Sequence, residues 1–136
     1  PRKRAFPAVC HGDINQHPEI GMPHATRSAA MDACITACKD CESACLETHE
    51  HCLEIGGKHA SQEHITLLSD CAQICATAAA FMMRGSNHHS HVCSACAEVC
   101  DACAESCESM GGGDETMQRC AEACRSCAEE CRKMAA

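Results

Sequence analysis

The stretch CSACAEVCDACAESC, residues 93–107, places a cysteine at every third or fourth position. Steps of three and four residues return a side chain to the same face of an α-helix, so these cysteines form one stripe. Residues 34–45 and 120–131 repeat the spacing, and the three runs together hold 13 of the chain's 17 cysteines. The sulfurs therefore occupy the positions where leucine, isoleucine and valine normally form the core between helices.

The register of each stripe extends beyond its cysteines. The first runs in heptad alternation from Met31 to Cys52, with Thr48 at a stripe position, the middle one continues to Met110, and the last runs from Met117 to Met134. Alanine and glutamate, both good helix formers, fill the positions between the cysteines. Each stripe is therefore expected to be one face of a long helix.

Glycine-containing turns divide the chain into four segments. They lie at residues 56–57, 85–87 and 111–113. The predicted helices lie near 28–55, 61–84, 89–110 and 115–133, with N-caps at Ser28, Ser61, Asn87 or Ser90, and Asp114. Short turns between long helices imply antiparallel neighbours, so the fold class is all-α, an antiparallel up-down-up-down four-helix bundle with a cysteine-lined core.

The second helix differs from the others because it carries two apolar stripes. Its inward stripe is predicted to contain His64, Leu68, Cys71, Cys75, Ala78 and Met82. Leu67, Ile74 and Phe81 form a second stripe at seven-residue spacing, with Ile65 or Met83 nearby. A helix that buries two faces indicates a partner, which is either a second copy of the chain or the N-terminal residues folded back.

Composition and charge bound the remaining possibilities. Residues 1–24 contain all four prolines and are predicted to be an extended N-terminal segment, which leaves 25–136 as one four-helix bundle domain. The net charge of −8 and the absence of Trp and Tyr argue against nucleic-acid binding. With no stretch of about 18 apolar residues and no signal segment, we expect a cytoplasmic protein with no membrane partner.

Neither hydrophobic packing nor a disulfide framework explains so many cysteines. A buried hydrophobic thiol explains one or two cysteines in a domain, but 17 in 136 residues lies far above ordinary usage. A disulfide framework conflicts with the odd count and with the helical spacing. Cβ atoms of neighbours on one helix face lie about 5–6 Å apart, whereas a disulfide needs about 3.5–4.5 Å.

Metal binding fits the spacing better, and Cu(I) is the favoured ion. A Cys-x-x-x-Cys pair on a rigid helix lets one metal bridge two thiolates in near-linear coordination, and soft sulfur ligands select Cu(I). Seven pairs occur: Cys34/Cys38, Cys41/Cys45, Cys71/Cys75, Cys96/Cys100, Cys103/Cys107, Cys120/Cys124 and Cys127/Cys131. The shorter Cys-x-x-Cys pairs keep a zinc or iron–sulfur scaffold as the alternative. An oxidoreductase would need one distinct low-pKa thiol, and nothing in the sequence marks one out.

The repeated Cys-x-x-x-Cys pairs, the alanine-rich helices and the three turns resemble the four-helix-bundle copper storage proteins of bacteria, in particular their cytosolic branch. The resemblance covers roughly residues 28–134. It implies storage of many Cu(I) ions in the core, a homotetramer and no catalytic turnover, so the chain is not expected to be an enzyme. Partners would be copper ions and a copper chaperone or efflux protein acting as donor or acceptor.

The predicted ligand set combines the stripe cysteines with softer groups at one end. Met31, Met82 and Met134 would form a thioether ring there beside three histidines of the third turn, although His49, His64, Met110 and Met117 offer ligands at the opposite end. One ion per core thiolate, with peripheral histidine and methionine sites added, gives on the order of 15–20 Cu(I) per chain. A capacity of this size would serve copper homeostasis. The predicted metal ligands are Cys34, Cys38, Cys41, Cys45, Cys52, Cys71, Cys75, Cys93, Cys96, Cys100, Cys103, Cys107, Cys120, Cys124, Cys127, Cys131, His88, His89, His91, Met31, Met82 and Met134.

Overall fold

The protein folds as four long α-helices and one short 3-10 helix. A computed structural model describes residues 27–110 and 112–136. The helices are α1 (Ala29–Ile55), α2 (Gln62–Met83), α3 (His89–Met110) and α4 (Glu115–Ala135), and the 3-10 helix (Gly57–Ala60) joins α1 to α2. Each predicted helix is confirmed, with ends that differ from the prediction by at most two residues. The predicted extended segment 1–24 lies outside the described residues.

Side-chain caps start three of the helices where the sequence predicts them. The Ser28 hydroxyl accepts a hydrogen bond from the Met31 N–H, and the Ser61 hydroxyl accepts one from the His64 N–H. The Asp114 carboxylate accepts the N–H groups of Thr116 and Met117. These contacts satisfy backbone donors that have no partner inside the helix.

The cap predicted for α3 is wrong in part. Ser90 lies inside the helix, and the Ser86 hydroxyl accepts the His88 N–H just ahead of it. The Ser86 carbonyl also accepts the His89 N–H. These contacts of Ser86 close the turn ahead of α3, and among the described contacts neither Asn87 nor Ser90 supplies a side-chain cap.

A glycine ends α1. Gly56 has φ 73°, a conformation that residues with a Cβ rarely adopt, and its N–H donates to the Cys52 carbonyl. The chain can therefore reverse direction immediately after Ile55 and enter α2 through the 3-10 helix.

The helices close into a ring around one core. Helix α1 packs against α2 and α4, and α3 packs against the same two helices. All 16 cysteines of the described residues are buried, and small alanines such as Ala78 and Ala104 separate them. Leu68, Met82 and Met117 are the largest fully buried apolar side chains. The predicted all-α bundle with a cysteine-lined core is confirmed.

The expectation that the chain has no segment apolar enough to cross a membrane is wrong for helix α2. By length and composition it is apolar enough to cross a membrane, with a mean hydropathy of 1.5 over its best window. Cysteine, alanine and methionine raise the mean hydropathy of this helix, although polar residues interrupt its apolar sequence. The buried face of α2 carries His64, Cys71 and Cys75 against the other helices, so α2 serves here as a core helix.

The second apolar stripe of α2 is half-buried within the chain. Leu67, Ile74 and Phe81 are each partly covered, and Ile74 packs against the edge of the core. The guanidinium of Arg84 lies 4.9 Å from the centre of the Phe81 ring. Met83, just beyond the stripe, is 46% exposed.

Candidate metal centre

The buried sulfurs form a continuous network along the bundle axis. Cys131 Sγ lies 3.7 Å from both Cys34 and Cys38, at the end where α1 begins and α4 ends. Further along, Cys75 lies 3.6 to 3.8 Å from sulfurs of α3 and α4, and Cys71 connects α2 to α1 and α3 at similar distances. At the far end of the network, Cys45 lies 3.9 Å from both Cys120 and Cys124. All four helices therefore contribute sulfur to one cluster.

The sulfurs cannot be divided into separate four-ligand sites. Several groups of four have all their Sγ atoms within 4.8 Å of one another, and most of their members belong to two groups. Cys41, for example, belongs to one group with Cys75 and Cys100 and to another with Cys45 and Cys124. Metals that filled these positions together would have to share thiolates as bridges.

The described core contains no charged side chain. Its buried polar residues are Thr48, which is 1% exposed and lies between Cys45 and Cys52 on α1, and His64. Burial raises the pKa of the Cys52 thiol to about 11. The contact with Cys100 lowers the pKa of Cys71 and raises that of Cys75. Burial favours the protonated form of a thiol, so a metal that binds thiolates in this core must displace protons.

One end of the core carries a different set of donor atoms. Cys52 Sγ lies 3.4 Å from the Nε2 atom of His64 and 3.4 Å from the Sδ atom of Met117. The other ring nitrogen of His64, Nδ1, lies 2.7 Å from the Ser106 hydroxyl. Burial lowers the pKa of His64 below its ordinary value, so its ring is neutral at physiological pH.

A hydrogen bond on the outside of the bundle braces the same end. The Nε2 atom of His51 lies 2.7 Å from the carboxylate of Asp114, the N-cap of α4, and this contact is the largest cause that lowers the pKa of that carboxyl group. It joins the last turns of α1 to the start of α4. Cys52 and Met117 follow His51 and Asp114 closely in the chain, so the brace holds those two donors in register.

The opposite end contains the methionines predicted as a thioether ring. Met82 is fully buried and its Sδ atom lies 3.8 Å from Cys93 Sγ, while Met31 and Met134 are half-buried against the core. The structure therefore places all three methionines at the edge of the sulfur network.

The three predicted histidines at that end lie farther out. His88 and His91 are exposed, and His91 borders an apolar groove between α2 and α3. The Nδ1 atom of His89 is held 2.9 Å from the Ser86 carbonyl. Within residues 27–110 and 112–136, none of the three makes a hydrogen bond to a core thiol.

Helical spacing predicts the burial of all 16 described cysteines, which the structure confirms, and the predicted ligand set does not include two buried side chains that contact Cys52. His64 and Met117 were recognised as residues of the opposite end, and their same-face spacing to Cys71 and Cys120 was the available signal. Nothing in the sequence marked Ser106, because its contact with His64 depends on how α2 and α3 pack. Cys10 lies outside the described residues.

A family model described as "Copper storage protein" matches residues 27–136. The cysteine-rich protein YhjQ of Bacillus subtilis is 42% identical over 67 residues. That match covers 49% of this chain and 62% of the relative, so the chain spans somewhat less than two thirds of that curated protein.

Two solved structures of copper-loaded proteins share the fold. The Cu(I)-bound copper storage protein BsCsp3 is 40% identical with a TM-score of 0.73, and the match covers 79% of this chain and 99% of the other. A cytosolic copper storage protein from Streptomyces lividans, solved with five coppers, is 34% identical with a TM-score of 0.68, covering 78% and 92% of the two chains.

Proposed function

This chain belongs to the copper storage protein family, and we propose that it stores many Cu(I) ions on the thiolates that line its four-helix bundle. The observation that carries the proposal is the continuous sulfur network, in which neighbouring Sγ atoms of all four helices lie 3.6 to 4.0 Å apart. A network of this kind serves to hold metal, and no catalytic step is required of it.

Charge balance favours Cu(I) over zinc in this core. One monovalent ion for each thiolate leaves the buried cluster neutral. A zinc ion on four thiolates would carry two negative charges, and no buried Lys or Arg of the described core could balance them. The overlap of the four-sulfur groups also favours Cu(I), because Cu(I) accepts bridging thiolates in low coordination numbers.

The ligands of the stored copper are the 16 buried cysteines predicted from the stripes. One ion for each thiolate gives on the order of 15–20 ions per chain once peripheral methionine and histidine sites are counted. The relative from Streptomyces, described as cytosolic, supports a cytoplasmic location for this chain. A copper chaperone or an efflux protein would then deliver or collect the ions.

Copper would enter at the end that carries the methionines. Met31 and Met134 are half-buried there, so their thioethers lie between solvent and the first core thiols. Thioethers and exposed imidazoles bind Cu(I) more weakly than bridging thiolates and can pass it inward. His88, His89 and His91 supply the imidazoles at the adjoining turn.

The chain would assemble as a homotetramer. The groove bordered by Ile74, Val92 and Val99 has a volume of about 780 Å³ and lies between α2 and α3. Leu46 and Leu53 on α1 are also about half exposed, at 54% and 48%. Two apolar surfaces on one small domain fit an assembly with two kinds of symmetric contact.

Parallel loading with two metals tests the choice of ion. Reduced, metal-free protein is mixed without oxygen with excess Cu(I) or excess Zn(II), and the bound ions are counted by native mass spectrometry. We expect several times more Cu(I) than Zn(II), a colourless Cu(I) form and no displacement of Cu(I) by zinc. Zinc that bound at about one ion per four cysteines and resisted Cu(I) would favour the zinc scaffold, and a brown reconstituted protein would favour an iron–sulfur scaffold.

A further inference from the structure

We propose that Cys52, His64 and Met117 form a separate binding site for one Cu(I) ion at the end of the bundle opposite the methionine ring. The site would combine one of the 16 buried thiolates with one imidazole and one thioether, whereas the other core sites would hold thiolates alone. It rests on the proposed copper chemistry, but its own donor atoms can be observed independently of the core.

The Cys52 sulfur lies close enough to each of the other two donor atoms for one ion to bridge it to either of them. Cys52 Sγ is 3.4 Å from both His64 Nε2 and Met117 Sδ. Metal bonds to sulfur and imidazole nitrogen are about 2.3 and 2.0–2.1 Å long in zinc sites, so one ion of similar size could bond to donors at these separations. The side chains come from α1, α2 and α4, and all three are at most 2% exposed.

The histidine is oriented as a metal ligand requires. Its Nδ1 atom is 2.7 Å from the Ser106 hydroxyl on α3. In the metal-bound form Nδ1–H donates to that hydroxyl, and Nε2 then presents its lone pair to the ion. Outer contacts of this kind commonly fix the tautomer and the ring plane of a metal-binding histidine.

The charge of the site selects a soft monovalent ion. Cys52 loses one proton when it binds the metal, while the neutral ring of His64 and the thioether of Met117 contribute no charge. Thiolate and Cu(I) together are neutral, which suits a buried position. A divalent ion would leave one positive charge there, and the thioether is a poor ligand for the harder divalent ions.

The site has access to solvent without passing through the core. A surface depression of about 460 Å³ is bordered by His64, Ser106 and Met110, and a second one reaches Met117 beside Asp114. Small movements of the half-buried side chains of Ser106 and Met110 would let an ion or a small copper complex reach the three buried donors.

The test follows the histidine ring directly. The full chain is labelled with [15N]histidine, and Cu(I) is added without oxygen until no more is bound. We expect the His64 Nε2 resonance to move while that of His51 stays in place, because His51 is occupied by Asp114. We also expect Met117→Leu, a substitution of similar volume, to lower the number of retained ions by about one and to reduce the His64 change. Met110→Leu, which alters another methionine of the same end, should do neither.

The outcomes separate this site from the storage core. An unchanged His64 resonance at saturation, with many ions bound, would overturn the site and leave the storage function standing. Saturation near four ions would overturn storage, and a moving His64 resonance would then still support the site. A Met117→Leu protein with full capacity and an unchanged His64 shift would exclude the thioether as a ligand and overturn the three-donor site.

Discussion

A cysteine side chain in this core performs two tasks that usually belong to different residues. As a small apolar group it packs between helices, and as a latent thiolate it supplies a ligand once its proton has left. Cys75 illustrates both tasks, since it is fully buried and contacts sulfurs of Cys96, Cys100 and Cys127. Core packing and metal capacity therefore use the same atoms.

His64 should make the stability of the metal-free protein depend on pH. Burial lowers its folded-state pKa below the ordinary 6.5, so the unfolded chain binds more protons between those two values. The stabilising contribution is fully present above about pH 6.5 and is lost as the pH falls toward the folded pKa, by at most about 1.4 kcal/mol per pH unit. Cys52 and Ser106 contact the ring, and among more distant groups Cys120 raises the pKa of His64 while His59 lowers it, but burial is the largest effect.

Denaturant titrations of reduced wild-type and His64→Gln protein between pH 7.5 and 5 measure this dependence. The wild type should lose more free energy of unfolding over that range than the variant, because glutamine does not titrate. His88→Gln serves as the control, since it removes one histidine side chain that is exposed at the surface, away from the core. Equal losses in wild type and His64→Gln would show that His64 is not the group responsible.

The positions of the core cysteines could be predicted residue by residue because they need only helical periodicity. Cys34 and Cys131 each lie on a stripe, so their burial follows from the spacing alone. The contact of Cys52 with His64 and Met117 could not be predicted, because it depends on the rotation and axial offset of three helices. A half-turn change in any one of them would separate the donors.

At the scale of elements, the helices themselves follow from local chemistry. Ser28, Ser61 and Asp114 mark helix starts because their side chains accept backbone N–H groups, and Gly56 marks an end because of its positive φ. The start of α3 was less predictable, since Ser86, Asn87 and Ser90 all carry side chains that can cap. In the structure Ser86 holds the turn that precedes the helix, through its hydroxyl and its carbonyl.

Helix α2 should contain an assembly surface. Changing Ile74 and Phe81 together to Glu places two charges on its half-buried outer stripe, where contact with another chain would bury them. We expect a monomer in sedimentation that still folds and still binds copper at full capacity, because neither residue is among the buried core. Circular dichroism and native mass spectrometry check the last two points.

The paired change Leu46→Glu with Leu53→Glu on α1 is the matched comparison. It also adds two charges to exposed apolar positions. If it dissociates the oligomer and the α2 pair leaves the mass of the parent unchanged, the assembly surface lies on α1 and the stripe of α2 is packed within the chain.

The turn between α2 and α3 should influence how fast copper enters. Replacement of His88, His89 and His91 together by Ala removes imidazoles beside the methionine ring, while the core thiols remain. We expect slower Cu(I) uptake in stopped-flow measurements and nearly unchanged final capacity. His49→Ala with His59→Ala, near the opposite end, is the control. Unchanged kinetics in the triple variant, with slowing in the control, would move the entrance to the opposite end.

At the scale of the whole molecule, an ordinary four-helix bundle with a charged surface encloses a core made largely of cysteine. Charged side chains lie outside, as in the network of Asp101, Glu108, Arg125 and Arg132 that joins α3 to α4. Inside, sulfur replaces most large hydrocarbon side chains, so metal-free stability rests on a core with little apolar volume. Ions that bind the folded state more tightly than the unfolded one add stability, and many such ions should raise the unfolding temperature markedly.

The number of Cu(I) ions bound at saturation decides whether the thiol core stores copper. Reduced metal-free protein is titrated with Cu(I) without oxygen, in competition with a chelator, and bound ions and released protons are counted together. If the core stores copper, we expect saturation on the order of 15–20 ions per chain, with about one proton released for each core thiol that becomes a ligand. Saturation near four ions, as four-thiolate sites would give, would contradict it.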